Sequence, residues 1–159
     1  MNPVSFLGLE IKRMKKGIKI SQRQYSTKIL ETYGMTDAKP ADTPMLPNTT
    51  TEEKGARRDF PYREAVGSLL YLTAKTRPDL NYAVTYSSRK VQNPTNTDVI
   101  NVKRALRYLQ GTKDLGIVYT KSSDSTILKA YCDADYAGNT ESRKSTTGYI
   151  VEFCGGPIS

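Results

Sequence analysis

Histidine and tryptophan are both absent from the 159 residues. Without histidine there can be no His-based triad, no His-ligated zinc and no histidine general base, so any hydrolysis must run on carboxylates and a metal ion. Cysteine occurs only twice, which excludes a disulfide scaffold and fits reduced thiols in an intracellular chain. No apolar run approaches the roughly 20 residues of a membrane span. Met1-Asn2-Pro3-Val4-Ser5-Phe6 lacks the basic stretch and apolar core of a signal peptide, so none is expected. Gly155-Gly156 is too short for a phosphate-cradling loop.

What the chain does have is positive charge. It carries 24 basic and 16 acidic residues, net +8. The excess is uneven: 11 basic against 7 acidic in residues 1–60, 9 against 4 in residues 61–120, and 4 against 5 thereafter. A basic body with a slightly acidic tail suits a polyanionic partner. A merely soluble basic protein would carry the same charge.

Periodicity changes twice along the chain, which predicts an α+β fold. Residues 4–20 alternate loosely around the turn signal Lys15-Lys16-Gly17 and read as a β-hairpin in which Gly17 takes a positive φ. Ser21 is the expected N-cap of a helix running to about Tyr33, with Gln24 as its capping-box partner and Gly34 closing it. Residues 36–60 hold three prolines and little periodicity, and are expected to form an extended linker, mobile near 45–58. Three helices follow. The first carries Tyr62, Val66, Leu69, Leu70 and Thr73 on one face, with Gly67 expected at a close helix–helix approach. The second opens at Arg77-Pro78-Asp79, where Asp79 complements the helix dipole, and buries Leu80, Ala83, Val84 and Ser87. The third runs from about Thr97 to Gln110, capped by Thr95 and Asp98, striped by Val99, Val102, Leu106 and Leu109, and closed by Gly111. Short strands end the chain, at 116–119, 128–135 and 146–153.

Two sets of side chains carry possible chemistry. Asp133 and Asp135 lie two apart on one strand and therefore share a face, as carboxylates holding Mg²⁺ often do. Leu128, Ala130, Cys132 and Ala134 occupy the other face, so Cys132 reads as a core residue. Glu152 is a further acid whose face depends on strand register. Lys103, Arg104 and Arg107 fall together on the third helix and suit a phosphate backbone, or equally a solvated helix face.

The order of segments is more specific than any of them alone. Phe6-Leu7-Gly8-Leu9-Glu10-Ile11, Ser21-Gln22-Arg23-Gln24-Tyr25 and Thr43-Pro44-Met45 come first. Then follow Tyr62-Arg63-Glu64-Ala65-Val66-Gly67-Ser68-Leu69-Leu70-Tyr71-Leu72, Thr76-Arg77-Pro78-Asp79 and Lys103-Arg104-Ala105-Leu106-Arg107-Tyr108-Leu109-Gln110-Gly111-Thr112. Cys132-Asp133-Ala134-Asp135-Tyr136-Ala137-Gly138, Arg143-Lys144-Ser145-Thr146-Thr147-Gly148-Tyr149 and Gly155-Gly156-Pro157-Ile158-Ser159 complete the series. Over essentially its whole length the chain resembles the Pol polyprotein of copia-type retrotransposons.

The resemblance implies four parts: residues 1–35 as the end of the reverse transcriptase palm, 36–60 as a linker, 61–120 as a helical thumb and connection, and 121–159 as the start of a ribonuclease H domain. Phe6, Leu7 and Gly8 then match the primer grip. Asp133 matches the first metal-binding aspartate, while Asp135 has less support from the family as a ligand. In the family the paired polymerase aspartates lie upstream of Phe6, and the other ribonuclease H carboxylates lie downstream of Ser159. The expectation is therefore a catalytically incomplete fragment with no cofactor of its own, Mg²⁺ belonging to the intact enzyme. Its expected partner is RNA, DNA or an RNA–DNA hybrid, bound weakly and without sequence preference, with no membrane and no small-molecule substrate. A stand-alone nucleic-acid-binding module is one alternative. The other is a secreted effector, because Arg104-Ala105-Leu106-Arg107 matches the Arg-x-Leu-Arg signature, a tetrapeptide with a high false-positive rate.

Overall fold

Leu7 and Gly8 adopt φ of 49° and 76°, the sign pattern of a type I′ turn, and so reverse the chain within two residues. In the computed structural model, which describes residues 4–46, 59–120, 127–135 and 146–159, residues 4–21 are thus three strands rather than one hairpin. These are β1 (Val4–Phe6), β2 (Leu9–Met14) and β3 (Gly17–Ser21). The second turn, Lys15-Lys16, stands where expected, but Gly17 does not take a positive φ. Space is what requires a glycine there: a Cβ would lie 2.1 Å from the Tyr119 carbonyl oxygen.

The chain is α+β and divides into two compact units. One comprises residues 5–10 and 21–116 and holds all the helices: α1 (Arg23–Thr32), α2 (Tyr62–Thr73), α3 (Asn81–Ser88) and α4 (Asn96–Thr112). Its core is Ile29 and Leu30 of α1, Ala65, Val66, Leu69 and Leu72 of α2, Leu80, Val84 of α3, and Val99, Val102, Leu106 and Leu109 of α4. The expected stripes of α3 and α4 are buried. On α2 the stripe is rotated slightly, so that Ala65 and Leu72 are buried and Leu70 is 37% exposed. Tyr62 ties α2 to α3 by donating to the Ser87 carbonyl at 2.8 Å. Burial, followed by the charge of Asp98, pushes its hydroxyl pKa up to about 12.

Capping matches the sequence at one helix and departs from it at another. Thr95 and Asp98 form the expected capping box of α4. At α1, Ser21 belongs to β3 and the N-cap position is Gln22, with no side-chain cap of its own. The Glu10 carboxylate instead accepts from the Gln24 backbone N–H at 2.7 Å, placing a negative charge at the helix start. Gly34, at φ 63°, follows α1 as expected. Gly111 lies inside α4, where its bare Cα admits Pro40. Gly67 faces open space, not a neighbouring helix.

The second unit contains residues 11–20 and 117–159. β4 (Gly116–Thr120) is next to β3 in a sheet ordered β1-β2-β3-β4. A second, antiparallel sheet is ordered β5-β6-β7, from β5 (Lys129–Asp135), β6 (Thr146–Phe153) and β7 (Gly156–Pro157). Cys154 and Gly155, with φ of 54° and 75°, repeat the sign pattern of Leu7-Gly8 between β6 and β7. Gly156 packs on Tyr119, whose hydroxyl donates to the Pro157 carbonyl at 2.6 Å.

The expectation for Cys132 is corrected: it is exposed. Leu128 and Tyr149, on the same face by the register Cys132↔Tyr149, are 62% and 69% exposed. Alternation decides which side chains share a face, but burial needs a second layer, and none covers this one among the described residues. Residues 47–58, including most of the stretch expected to be mobile, and the segments Tyr136-Ala137-Gly138 and Arg143-Lys144-Ser145 lie outside the described residues.

Candidate functional site

Parts of the distinctive segments, Leu7, Gln22, Tyr25, Tyr71, Thr76 and Arg77, meet around α2 and the carboxyl end of α4. Phe6 and Leu7, expected from the resemblance to match the primer grip, are 59% and 77% exposed. Leucine in the left-handed region costs roughly 1–2 kcal/mol, so the neighbouring structure must hold the turn. Tyr71 of α2 does so: its hydroxyl donates to the Leu7 carbonyl at 3.2 Å. A Cβ on Gly8 would sit 3.0 Å from that same hydroxyl. The ring of Tyr71 meets Tyr25 of α1 edge-on, with centroids 5.1 Å apart. Two helices therefore fix a turn whose apolar tip stays in solvent.

Below it, the Gln22 side-chain carbonyl, in a fully buried residue, accepts from Thr76 at 3.0 Å. Arg77 is 1% exposed. Its Nη1 donates to the Thr112 carbonyl at 3.0 Å and its Nη2 to the Thr112 hydroxyl at 2.7 Å. Thr112 ends α4, so a cation sits where the helix exposes unpaired carbonyls. Asp79 stands, as expected, in the first turn of the helical segment Pro78–Leu80 that leads into α3, and it also serves Arg77. It receives Arg77 Nε at 2.9 Å and Nη2 at 2.7 Å. Burial raises the Asp79 carboxyl, but the hydrogen bonds and charge of Arg77, helped by the Tyr108 hydroxyl, bring it below its ordinary value.

The three basic residues of α4 are half-buried and already engaged. Arg104 Nη2 donates to Thr43 Oγ1 at 2.9 Å, and Arg107 Nε to the Lys39 carbonyl at 2.6 Å. The Ala41 N–H returns a bond to the Arg107 carbonyl at 3.3 Å. Residues 39–43 thus run along α4. Lys103 Nζ sits 5.1 Å from the Phe60 ring centroid, a cation–π contact. Leu106, the middle of Arg104-Ala105-Leu106-Arg107, is wholly buried.

Asp133 is exposed, pairs across the sheet with Gly148, and its carboxylate accepts from the Ala134 N–H at 2.9 Å. Asp135 pairs with Thr146. The register answers the question about Glu152: opposite Lys129, it shares the face of Asp133 but lies four residues along the strand from Gly148, about 13 Å at the usual rise. No group of three metal-ligating side chains occurs among the described residues. A magnesium centre needs several oxygens close together, and the described Glu152 does not come close to Asp133. Among the described residues no helix is long and apolar enough to cross a membrane.

Sequence reasoning missed Glu10, Gln22, Tyr25 and Tyr71 as the residues that organise this region. Their partners lie 14 to 64 positions away, beyond the reach of local pattern.

No family model and no solved structure matches the chain. Among curated proteins it is 46% identical over 157 residues to the Retrovirus-related Pol polyprotein from transposon RE2 of Arabidopsis thaliana, covering 97% of this chain and 11% of that protein. It is 42% identical over 164 residues to the Retrovirus-related Pol polyprotein from transposon TNT 1-94 of Nicotiana tabacum, covering 96% of this chain and 12% of that protein. A shorter match, 42% over 102 residues, is to Secreted RxLR effector protein 161 of Plasmopara viticola, covering 64% of this chain and 71% of that protein. The chain thus spans about a tenth of the length of the two Pol relatives, and it belongs to the Pol polyproteins of copia-type retrotransposons.

Proposed function

We propose that this chain is a catalytically incomplete piece of a copia-type reverse transcriptase and ribonuclease H, and that it holds an RNA–DNA hybrid weakly and without sequence preference. The observation that carries this reading is the Leu7-Gly8 turn, clamped by Tyr71 with Phe6 and Leu7 left in solvent. An exposed apolar tip on a fixed turn can rest against sugars or base edges, as a primer grip requires. The β5-β6-β7 sheet with Asp133 on its edge strand β5 supports the start of a ribonuclease H domain. Lys103, Arg104 and Arg107 are the basic residues proposed to meet phosphates, which their remaining N–H groups serve while other atoms brace residues 39–43.

Fluorescence anisotropy with a labelled hybrid duplex tests the reading. Three phosphate contacts imply a log–log salt slope of about −2.7. Affinity that does not change when salt is tripled sinks it, as does full affinity after Phe6→Ser with Leu7→Ser.

The secreted-effector reading has one relative's name on its side. In this chain, however, Arg104-Ala105-Leu106-Arg107 is a helical turn with its leucine in the core, whereas a linear signal must present all its side chains at once.

A further inference from the structure

From Ile11 to Leu30 the chain has no acidic residue, and five of its bases lie between Lys12 and Lys19. Lys12, Arg13, Lys15 and Lys16 gather at the tip of the β2–β3 hairpin, and all four are exposed. Among the described residues none of the four takes part in an ion pair. The nearest acid in the sequence, Glu10, is occupied at the start of α1. Some other bases are engaged: Arg23 with Asp114 at 2.8 Å, Arg77 with Asp79, and the α4 set with residues 39–43 and Phe60.

The hairpin is also held in place. Gly17 brings β3 so close to β4 that even a methyl group would meet the Tyr119 carbonyl. Four like charges on and beside a two-residue turn repel one another, and a polyanion relieves that repulsion. Exposed lysine and arginine side chains around one turn suit the phosphates of a duplex, contacts that position a protein on the backbone without reading bases.

We infer that the tip formed by Lys12, Arg13, Lys15 and Lys16 is a nucleic-acid contact surface, gripping the phosphate backbone of a duplex without reading its sequence. The inference rests on the proposed nucleic-acid binding and assigns it a place that the α4 residues do not cover.

The experiment compares three forms of the full chain by anisotropy on a labelled RNA–DNA hybrid from 50 to 200 mM salt. They are the wild type, the tip variant Lys12→Gln/Arg13→Gln/Lys15→Gln/Lys16→Gln, and a control, Lys28→Gln/Lys39→Gln/Arg63→Gln/Lys75→Gln. The control removes the same charge from other exposed positions. Thermal melts establish that all three are folded. Four phosphate contacts contribute about −3.6 to the salt slope, so the tip variant should lose most of that and bind at least tenfold more weakly at 50 mM salt. The control should stay within about threefold of the wild type. Equal losses in the tip variant and the control overturn the inference and leave the binding itself standing. A wild type with no salt-sensitive hybrid binding overturns both. Tip-dependent binding to phosphatidylserine vesicles, with none to the duplex, also overturns it.

Discussion

Arg77 Nη2 lies 2.7 Å from the hydroxyl of Thr112, thirty-five positions further along the chain, and 2.7 Å from the carboxylate of Asp79. One guanidinium thus closes the last turn of α4 and anchors the start of the α3 segment. The planar fork of arginine suits both tasks at once, which the single ammonium of lysine does not.

Arg77→Ala should therefore cost about 3 kcal/mol, near the low end for breaking a buried pair because Asp79 stays a third exposed. Urea unfolding at neutral pH measures this. Arg77→Lys should recover less than half of the loss. A loss under 1 kcal/mol would mean that the pair is only decorative.

Acid should probe the same contact. The folded Asp79 carboxyl lies below its ordinary value. Its contribution to stability is thus fully present above the unfolded pKa of about 3.9 and is lost as pH falls through the lower folded value. The difference in stability between wild type and Arg77→Ala should shrink as pH drops below 4. A difference that grows there refutes the assignment.

Leu7 and Tyr71 separate stability from function. Leu7→Gly relieves a left-handed leucine and removes a side chain already 77% exposed. It should raise stability by up to about 1 kcal/mol while weakening hybrid binding. Tyr71→Phe keeps the ring contact with Tyr25 but loses the bond to Leu7, costing about 0.5–1 kcal/mol. Calorimetry and anisotropy on the same samples read both effects. A Leu7→Gly chain that binds as tightly as wild type removes the turn from the interface.

Two glycines should respond in opposite directions to the same change. Gly67 sits in α2 facing open space, so Gly67→Ala should stabilise by about 0.5–1 kcal/mol. Gly17→Ala drives a methyl into the Tyr119 carbonyl and should destabilise by about 2 kcal/mol or more. Thermal melts of the two variants decide it, and a like sign would contradict the packing.

The purified chain should not cleave the RNA strand of a hybrid with Mg²⁺ or Mn²⁺. Two-metal hydrolysis needs carboxylates close enough to clamp both cations. The described Glu152 stands about 13 Å along the strand from the position opposite Asp133. Metal-dependent cleavage abolished by Asp133→Asn would overturn this.

By itself, the sequence determined what depends on neighbours within a turn or two. The stripes of α3 and α4 follow from 3.6-residue periodicity, and the Thr95–Asp98 cap from a spacing of three. The alternation of β5 gave its two faces, and the ordered segments gave the family. Tertiary structure alone decided where side chains find partners across long loops. Gln22 went to Thr76 rather than capping its own helix, and Glu10 took that place. Arg104 and Arg107, legible as cations, became braces for residues 39–43, while the Lys12–Lys16 tip kept its charge exposed. Glu152 joined the face of Asp133 only once the register was set. Periodicity is a property of one segment, whereas a hydrogen bond between residues 7 and 71 exists only after the chain has closed upon itself.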